Sequence, residues 1–256
     1  MSGRLDGVGI VITRPRPAAE ALAAALLREG ARPVVFPALA IEDLPPSDEL
    51  EVAMAALPEA AFAIFVSAHA VHKGLAAAAR HGPWPSAPRL AAIGEATAEA
   101  LRSAGFTAVV SPRERHDSEA LLALPELGQV AGRSVVIFRG EGGREHLREV
   151  LESRGARVDY AQCYRRVRPA TDPAPLLQAW GRGEIQAVSA LSAETLDNFV
   201  AMIGEEGARR LGSTTLVVPH EAIAAQAQAR RFARVAVAGP GAEGIAAALS
   251  PLRAHP

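Results

Sequence analysis

Short apolar runs alternate with alanine-rich stretches along the whole chain. Residues 7–13 (GVGIVIT) are apolar at nearly every position, which predicts a strand buried on both faces. Residues 17–30 (PAAEALAAALLREG) predict a helix closed by Gly30. The same reading gives strands at 33–36, 61–67, 89–94 and 107–111, with helices at 68–80 and 95–104. The second half repeats this order through SVVIFR, GGREHLREVLESRG, ARVDYAQCY, IQAVSALS, AETLDNFVAMIG, TLVVP, HEAIAAQAQARR and ARVAVAG. Strands apolar on both faces and alternating with helices predict an α/β fold whose parallel sheets are flanked by helices.

An internal duplication sharpens this picture. An offset of 125 residues places Arg14 on Arg139, Glu20 on Glu145, Leu22 on Leu147 and Leu26 on Leu151. The tripeptide Gly-Ala-Arg recurs at 30–32 and 155–157, and Ser-Ala at 67–68 and 192–193, each at equivalent points. One offset serving several strand–helix units predicts two similar domains. FPALAIEDLPP (36–46) and YAQCYRRVRPA (160–170) occupy equivalent places, and neither reads as a strand–helix unit. Their pairing as a two-stranded β-ladder hinge makes the domains discontinuous. Residues 1–38 with 171–256 form one domain and residues 39–170 the other, with linker strands at about 39–44 and 159–166.

Composition mainly excludes. Twenty-seven basic and 28 acidic residues give a net charge of −1, too balanced for a general nucleic-acid coat. Aromatic residues are 4% of the chain, too few for a row of base-stacking platforms. A single cysteine, Cys163, leaves no intrachain disulfide and no multi-cysteine zinc site. His69, His72, His81 and His116 lack metal-site spacing, so no metal is expected. No apolar run approaches the roughly 20 residues that span a bilayer. The opening MSGRLDGVGIVITRPRP shows no cleavage pattern, so no membrane association and a cytoplasmic location are expected.

Candidate chemistry clusters at strand ends, where doubly wound sheets bind ligands. There is no P-loop, zinc-protease helix or G-x-S-x-G elbow. RGEGGRE (139–145) follows a strand and opens a helix, a setting in which backbone N–H groups, here around Gly143 and Arg144, cradle an anion. Its glycines are too close together for a dinucleotide fingerprint, and a plain tight turn has the same composition. Arg14, Thr13, Ser67, Thr97, Ser192 and His220 lie at or just past strand ends. Ser and Thr there also serve as helix caps, but the recurrence of polar residues at equivalent edges points to a cleft. Tyr164, beside Arg165, Arg166 and Arg168, either anchors the hinge or offers its phenol to a leaving hydroxyl. Cys163 reads as a buried thiol.

The stretches VITRPRPAAEALAAAL, FPALAIEDLPP, FVSAHAV, AIGEATAEALRSAGF and GGREHLREVLESRGARVDYAQCYRRVRP, in this order and spacing, resemble the uroporphyrinogen-III synthase family over essentially the whole chain. The resemblance implies two α/β domains joined by a β-ladder. It implies cyclisation of linear hydroxymethylbilane to uroporphyrinogen III, with D-ring inversion, loss of water and no cofactor. It also implies a monomer that makes transient contact with the preceding pathway enzyme. Tyr164 would be catalytic, and Arg14, Ser67, Thr97, Gly143, Arg144, Ser192 and His220 would bind substrate. Ala222 stands where the second half would match Thr97, so a symmetric threonine role is not expected. The competing expectation is a two-lobed small-molecule binding or regulatory protein without catalysis.

Overall fold

The computed structural model describes residues 3–115, 117–227 and 230–252, so His116 lies outside the described residues. Residues up to Ala40 and those from Val167 onward form one compact unit, and Ile41–Arg166 forms the other. The first unit begins with β1 (Gly9–Ile12), α1 (Ala18–Arg28) and β2 (Arg32–Val35). The chain then builds the second unit from β3 (Ala40–Asp43), α2 (Asp48–Ala56), β4 (Phe62–Phe65), α3 (Ala68–Ala79), β5 (Arg89–Ala92), α4 (Glu95–Ser103), β6 (Val109–Val110), α5 (Ser118–Leu122), β7 (Ser134–Gly140), α6 (His146–Ser153) and β8 (Arg157–Val167). It returns to complete the first with α7 (Ala174–Gly181), β9 (Ala187–Ser189), α8 (Ala193–Ala208), β10 (Thr215–Val218), α9 (Glu221–Ala227), β11 (Arg234–Val237) and α10 (Gly241–Leu249).

The first unit's sheet runs β11-β10-β9-β1-β2 and is parallel throughout. Alternation along β1 divides its core. Ile10 and Ile12 face α1 and α10 among Leu22, Leu26, Ile245 and Leu249. Val11 faces the opposite layer, among Trp180, Leu196 and Phe199. The second sheet runs β3-β8-β7-β4-β5-β6. In it Phe65 and Phe138 stack at 4.5 Å on one face, while Ile64 and Ile137 belong to the other. The two extended segments predicted as linkers lie side by side at the edge of this sheet. The Leu44 N–H donates to the Cys163 carbonyl (3.5 Å), and Arg165 pairs with Glu42 (2.9 Å), an antiparallel arrangement.

Both sheets share one plan. β1, β2, β9, β10 and β11 correspond in order to β7, β8, β4, β5 and β6, at the 125-residue offset visible in the sequence. Each sheet reverses its winding at one place, between β1 and β9 in the first and between β7 and β4 in the second. Such a switch point leaves a crevice beyond the carboxyl ends of the strands.

Helices α2, α5, α7 and α10 are additional to those predicted. α2 is started by the Ser47 hydroxyl, which accepts the Leu50 N–H (3.2 Å), and by an acidic first turn. The helix predicted across GGREHLREVLESRG begins only at His146, because Gly142 and Gly143 adopt φ of +70° and +100° and keep the preceding residues in a loop. No helix among the described residues is long and apolar enough to cross a membrane.

Candidate functional site

The switch point of the second unit opens into a concavity of about 240 Å³, lined by Val66, Ser67, Arg139, the loop of residues 140–144, Tyr160, Tyr164 and Arg166. Tyr164 is brought there by a local break in strand pairing. Arg139 opposes Gln162 but Gly140 opposes Tyr164, so Cys163 is an extra residue in β8. A bulge of this kind re-aims side chains at a sheet end. Cys163 and Tyr164 consequently belong to the same core face, with Ala161, instead of alternating between the two. The Tyr164 ring rests against Gly140, where a Cβ would come within 2.7 Å of the ring. Its hydroxyl lies 3.0 Å from the Ser67 hydroxyl. Ser67 also accepts the Ala70 N–H (3.0 Å) and so caps α3. His69 sits beside the Tyr164 ring, 6.1 Å between centroids. Partial burial, aided by the charges of His72 and Lys73, holds its pKa below the ordinary value.

The glycine-rich loop is organised around Arg139, whose side chain is only 7% exposed. Its Nη1 donates to Glu145 Oε1 (3.1 Å), its Nη2 to the Gly142 carbonyl and its Nε to the Gly140 carbonyl (3.3 Å). The second Glu145 oxygen accepts the Tyr160 hydroxyl (2.7 Å). The guanidinium groups of Arg139 and Arg148 lie 4.3 and 4.2 Å from the Tyr160 ring centre. The Tyr160 hydrogen bond, followed by the Arg139 charge, lowers the Glu145 pKa. Burial and then the bond to Glu145 push Tyr160 up to about 12, so its phenol stays protonated. Arg144 is exposed at the rim.

The first unit carries a concavity of about 490 Å³ at the carboxyl ends of β9, β10 and β11, lined by Arg14, Ser189, Leu191, residues 217–220 and residues 238–241. Arg14 is half-buried, and desolvation lowers its pKa. It makes no hydrogen bond or ion pair with another described residue. His220 is exposed at the same rim. Thr13 is used internally, donating to the Ser189 carbonyl (2.6 Å). Ser192 caps α8 through the Thr195 N–H (3.1 Å) and lies outside the lining. Thr97 is buried in the first turn of α4, and Ile93 reaches the second unit's concavity in its place. Of the predicted residues, Ser67, Gly143, Arg144 and Tyr164 thus share one concavity, and Arg14 and His220 share the other.

A sequence profile of the uroporphyrinogen-III synthase HemD family matches residues 20–247. The chain belongs to the uroporphyrinogen-III synthase family. The uroporphyrinogen-III synthase of Salmonella typhimurium is 39% identical over 196 residues, 75% of this chain and 78% of that protein. The uroporphyrinogen-III synthase of Escherichia coli is 35% identical over 199 residues, 77% of this chain and 80% of that protein. In structure, a mutant uroporphyrinogen III synthase from the extremely thermophilic bacterium Thermus thermophilus superposes with a TM-score of 0.58 at 19% identity, covering 96% of this chain and 97% of that one. That likeness is one of fold.

The region matched to the uroporphyrinogen-III synthase family contains the Tyr164–Ser67 pair, the glycine-rich loop and His220, and Arg14 precedes it. Arg139, Gly140 and Tyr160 line the same concavity; the first two are read in the sequence only as part of the stretch 139–145, and Tyr160 is not selected. One signal for Arg139 was available: it is the charged residue that closes an apolar strand, at the offset of Arg14.

Proposed function

We propose that this chain cyclises hydroxymethylbilane to uroporphyrinogen III, with Tyr164 at the bond that breaks first. Membership of the uroporphyrinogen-III synthase family supports the reaction. The observation that carries the role of Tyr164 is its hydroxyl, held by Ser67 at the switch-point concavity. The phenol protonates the hydroxyl of the hydroxymethyl group as the carbon–oxygen bond breaks. Water leaves as the ring nitrogen supplies its electron pair, and the N–H proton of the resulting cation passes to the Tyr164 phenolate, which gives the neutral azafulvene and restores the phenol. The terminal pyrrole attacks to give a spiro-pyrrolenine, which fragments and recloses with the D ring inverted, for a net loss of one water.

The substrate carries eight carboxylates. The glycine-rich loop with Arg144 in one unit, and Arg14 with His220 in the other, suit anionic side arms. The concavity of the second unit, about 240 Å³, falls below the roughly 300–1,000 Å³ that encloses a drug-sized ligand and suits one part of a tetrapyrrole. Holding the chain folded favours the productive closure over unassisted closure to isomer I. Because the free substrate closes unaided, direct transfer from the preceding pathway enzyme to a cytoplasmic monomer belongs to this proposal.

The test supplies hydroxymethylbilane, oxidises the products and separates the porphyrin isomers. Isomer III in excess over isomer I is expected. An isomer ratio equal to that of the enzyme-free reaction refutes the proposal. Saturable binding of the bilane without isomer III identifies a binding protein instead.

A further inference from the structure

A guanidinium beside a concavity suited to carboxylates reads at first as the group that grips them. Arg139 does not fit that role. A buried cation is tolerated only where its nitrogens find partners, and each of the three nitrogens of Arg139 has one in its own loop. Nε and Nη2 hold the carbonyls of Gly140 and Gly142, and Nη1 holds the Glu145 carboxylate. Glu145 is fixed in turn by the Tyr160 hydroxyl. The loop closes tightly over the guanidinium, since a Cβ on Gly143 would lie 2.8 Å from Arg139 Nη2. With two successive glycines at positive φ, this loop has little conformational preference of its own.

We propose that Arg139 is a positioning residue. It acts as an internal template that fixes the loop, and the loop's backbone N–H groups together with Arg144 receive a substrate carboxylate. Glu145 and Tyr160 form the far side of the same clamp. The contrast with Arg14 supports this assignment. The two arginines are duplicates in sequence position, yet Arg14 makes no bond to another described residue whereas all three side-chain nitrogens of Arg139 bond within its own loop. The proposal rests on the reading of this concavity as a carboxylate site.

The test is Arg139→Lys, which retains the charge but replaces the planar fork with a single ammonium. Two measurements are made on the full chain. Amide hydrogen exchange is followed in the free protein over residues 139–147, and KM and kcat are measured with hydroxymethylbilane. We expect exchange at Glu141, whose N–H donates to the Tyr164 carbonyl (2.7 Å), to accelerate at least about tenfold, with exchange in β4 and β5 unchanged. We expect KM to rise about tenfold while kcat stays within about twofold. Glu145→Gln, at a side chain that is 50% exposed, is the second variant should Arg139→Lys fold poorly. It should move both readouts in the same direction by a smaller factor. Unchanged exchange, or a fall in kcat at constant KM, overturns the positioning role. Faster exchange with unchanged KM also overturns it, because the ordered loop then serves no binding. Absence of isomer III from the wild-type protein defeats the reading of the site, and the exchange result then decides separately whether Arg139 orders the loop.

Discussion

Replacing Tyr164 with phenylalanine isolates one atom. The ring keeps its seat against Gly140 and its place in the core with Phe138 and Val136. The change removes the hydroxyl and its 3.0 Å bond to Ser67. Ser67 still accepts the Ala70 N–H at 3.0 Å and still caps α3. The loss to folding is therefore one neutral hydrogen bond, about 1 kcal/mol. For a chain of this size that lowers Tm by about 2–4 °C. Catalysis should suffer more. Proton donation to a leaving group is typically worth about 100- to 10,000-fold, whereas a neutral hydrogen bond that only orients substrate gives several-fold. We expect kcat for isomer III formation to fall at least about tenfold with KM little changed. Initial rates from hydroxymethylbilane, with isomer separation, measure this beside a thermal melt. A Tyr164→Phe variant with normal Tm and kcat within about twofold of wild type refutes the reasoning and leaves Tyr164 an anchor of β8. A collapse of Tm beyond about 10 °C refutes the packing argument instead.

Gly140→Ala places a Cβ 2.7 Å from the Tyr164 ring and forces that ring to move. It should cost about 1–3 kcal/mol in chemical denaturation, lower kcat, and add little further loss of kcat in a Tyr164→Phe background. Arg14→Gln should raise KM several-fold with no fall in Tm, because the cation it removes is desolvated and makes no bond to another described residue; unchanged KM with a lowered Tm contradicts this. Cys163 has its pKa raised by burial from the ordinary 9.0 to about 12. The folded state thus binds the proton more tightly than the unfolded state, and its stabilising contribution is complete below pH 9.0 and is lost as pH rises toward about 12. The urea midpoint should fall between pH 9 and 11 and fall less in Cys163→Ala, Tyr160 supplying the remaining slope above pH 10; at pH 8 the thiol should react with aromatic disulfides only on unfolding.

The parts of this fold legible in the sequence are those whose signal is continuous and local. β1, β4 and β7 are unbroken apolar runs, and burial on both faces demands that pattern. α3 is announced by Ser67 and an alanine-rich periodicity. α5, of five residues, and α7, of eight, carry too little periodicity to be read. α10 was obscured by glycines at 241 and 244 within its own span. In the site, Ser67 and Tyr164 could be selected individually, but not as partners. Their contact depends on the extra residue in β8, and a bulge leaves no residue-type signature. The burial of Arg139 was hidden for a related reason. A charged residue at a strand end looks solvent-exposed until the fold of the loop that follows is known.

The interleaving of the two units has a consequence for synthesis on the ribosome. β1, α1 and β2 emerge first, yet β9, the other neighbour of β1, begins only at Ala187. At about 5–20 residues per second, the stretch from Val35 to Ala187 takes roughly 8–30 s to make. In that interval Ile41–Arg166 has all its strands and can complete its own sheet. Ile10, Val11 and Ile12, each fully buried in the finished protein, meanwhile have α1 but lack β9, α10 and the layer of α7 and α8 that complete their cover. The inserted unit therefore folds ahead of the one that encloses it in sequence. The first forty residues are the segment on which a holding chaperone has most to act.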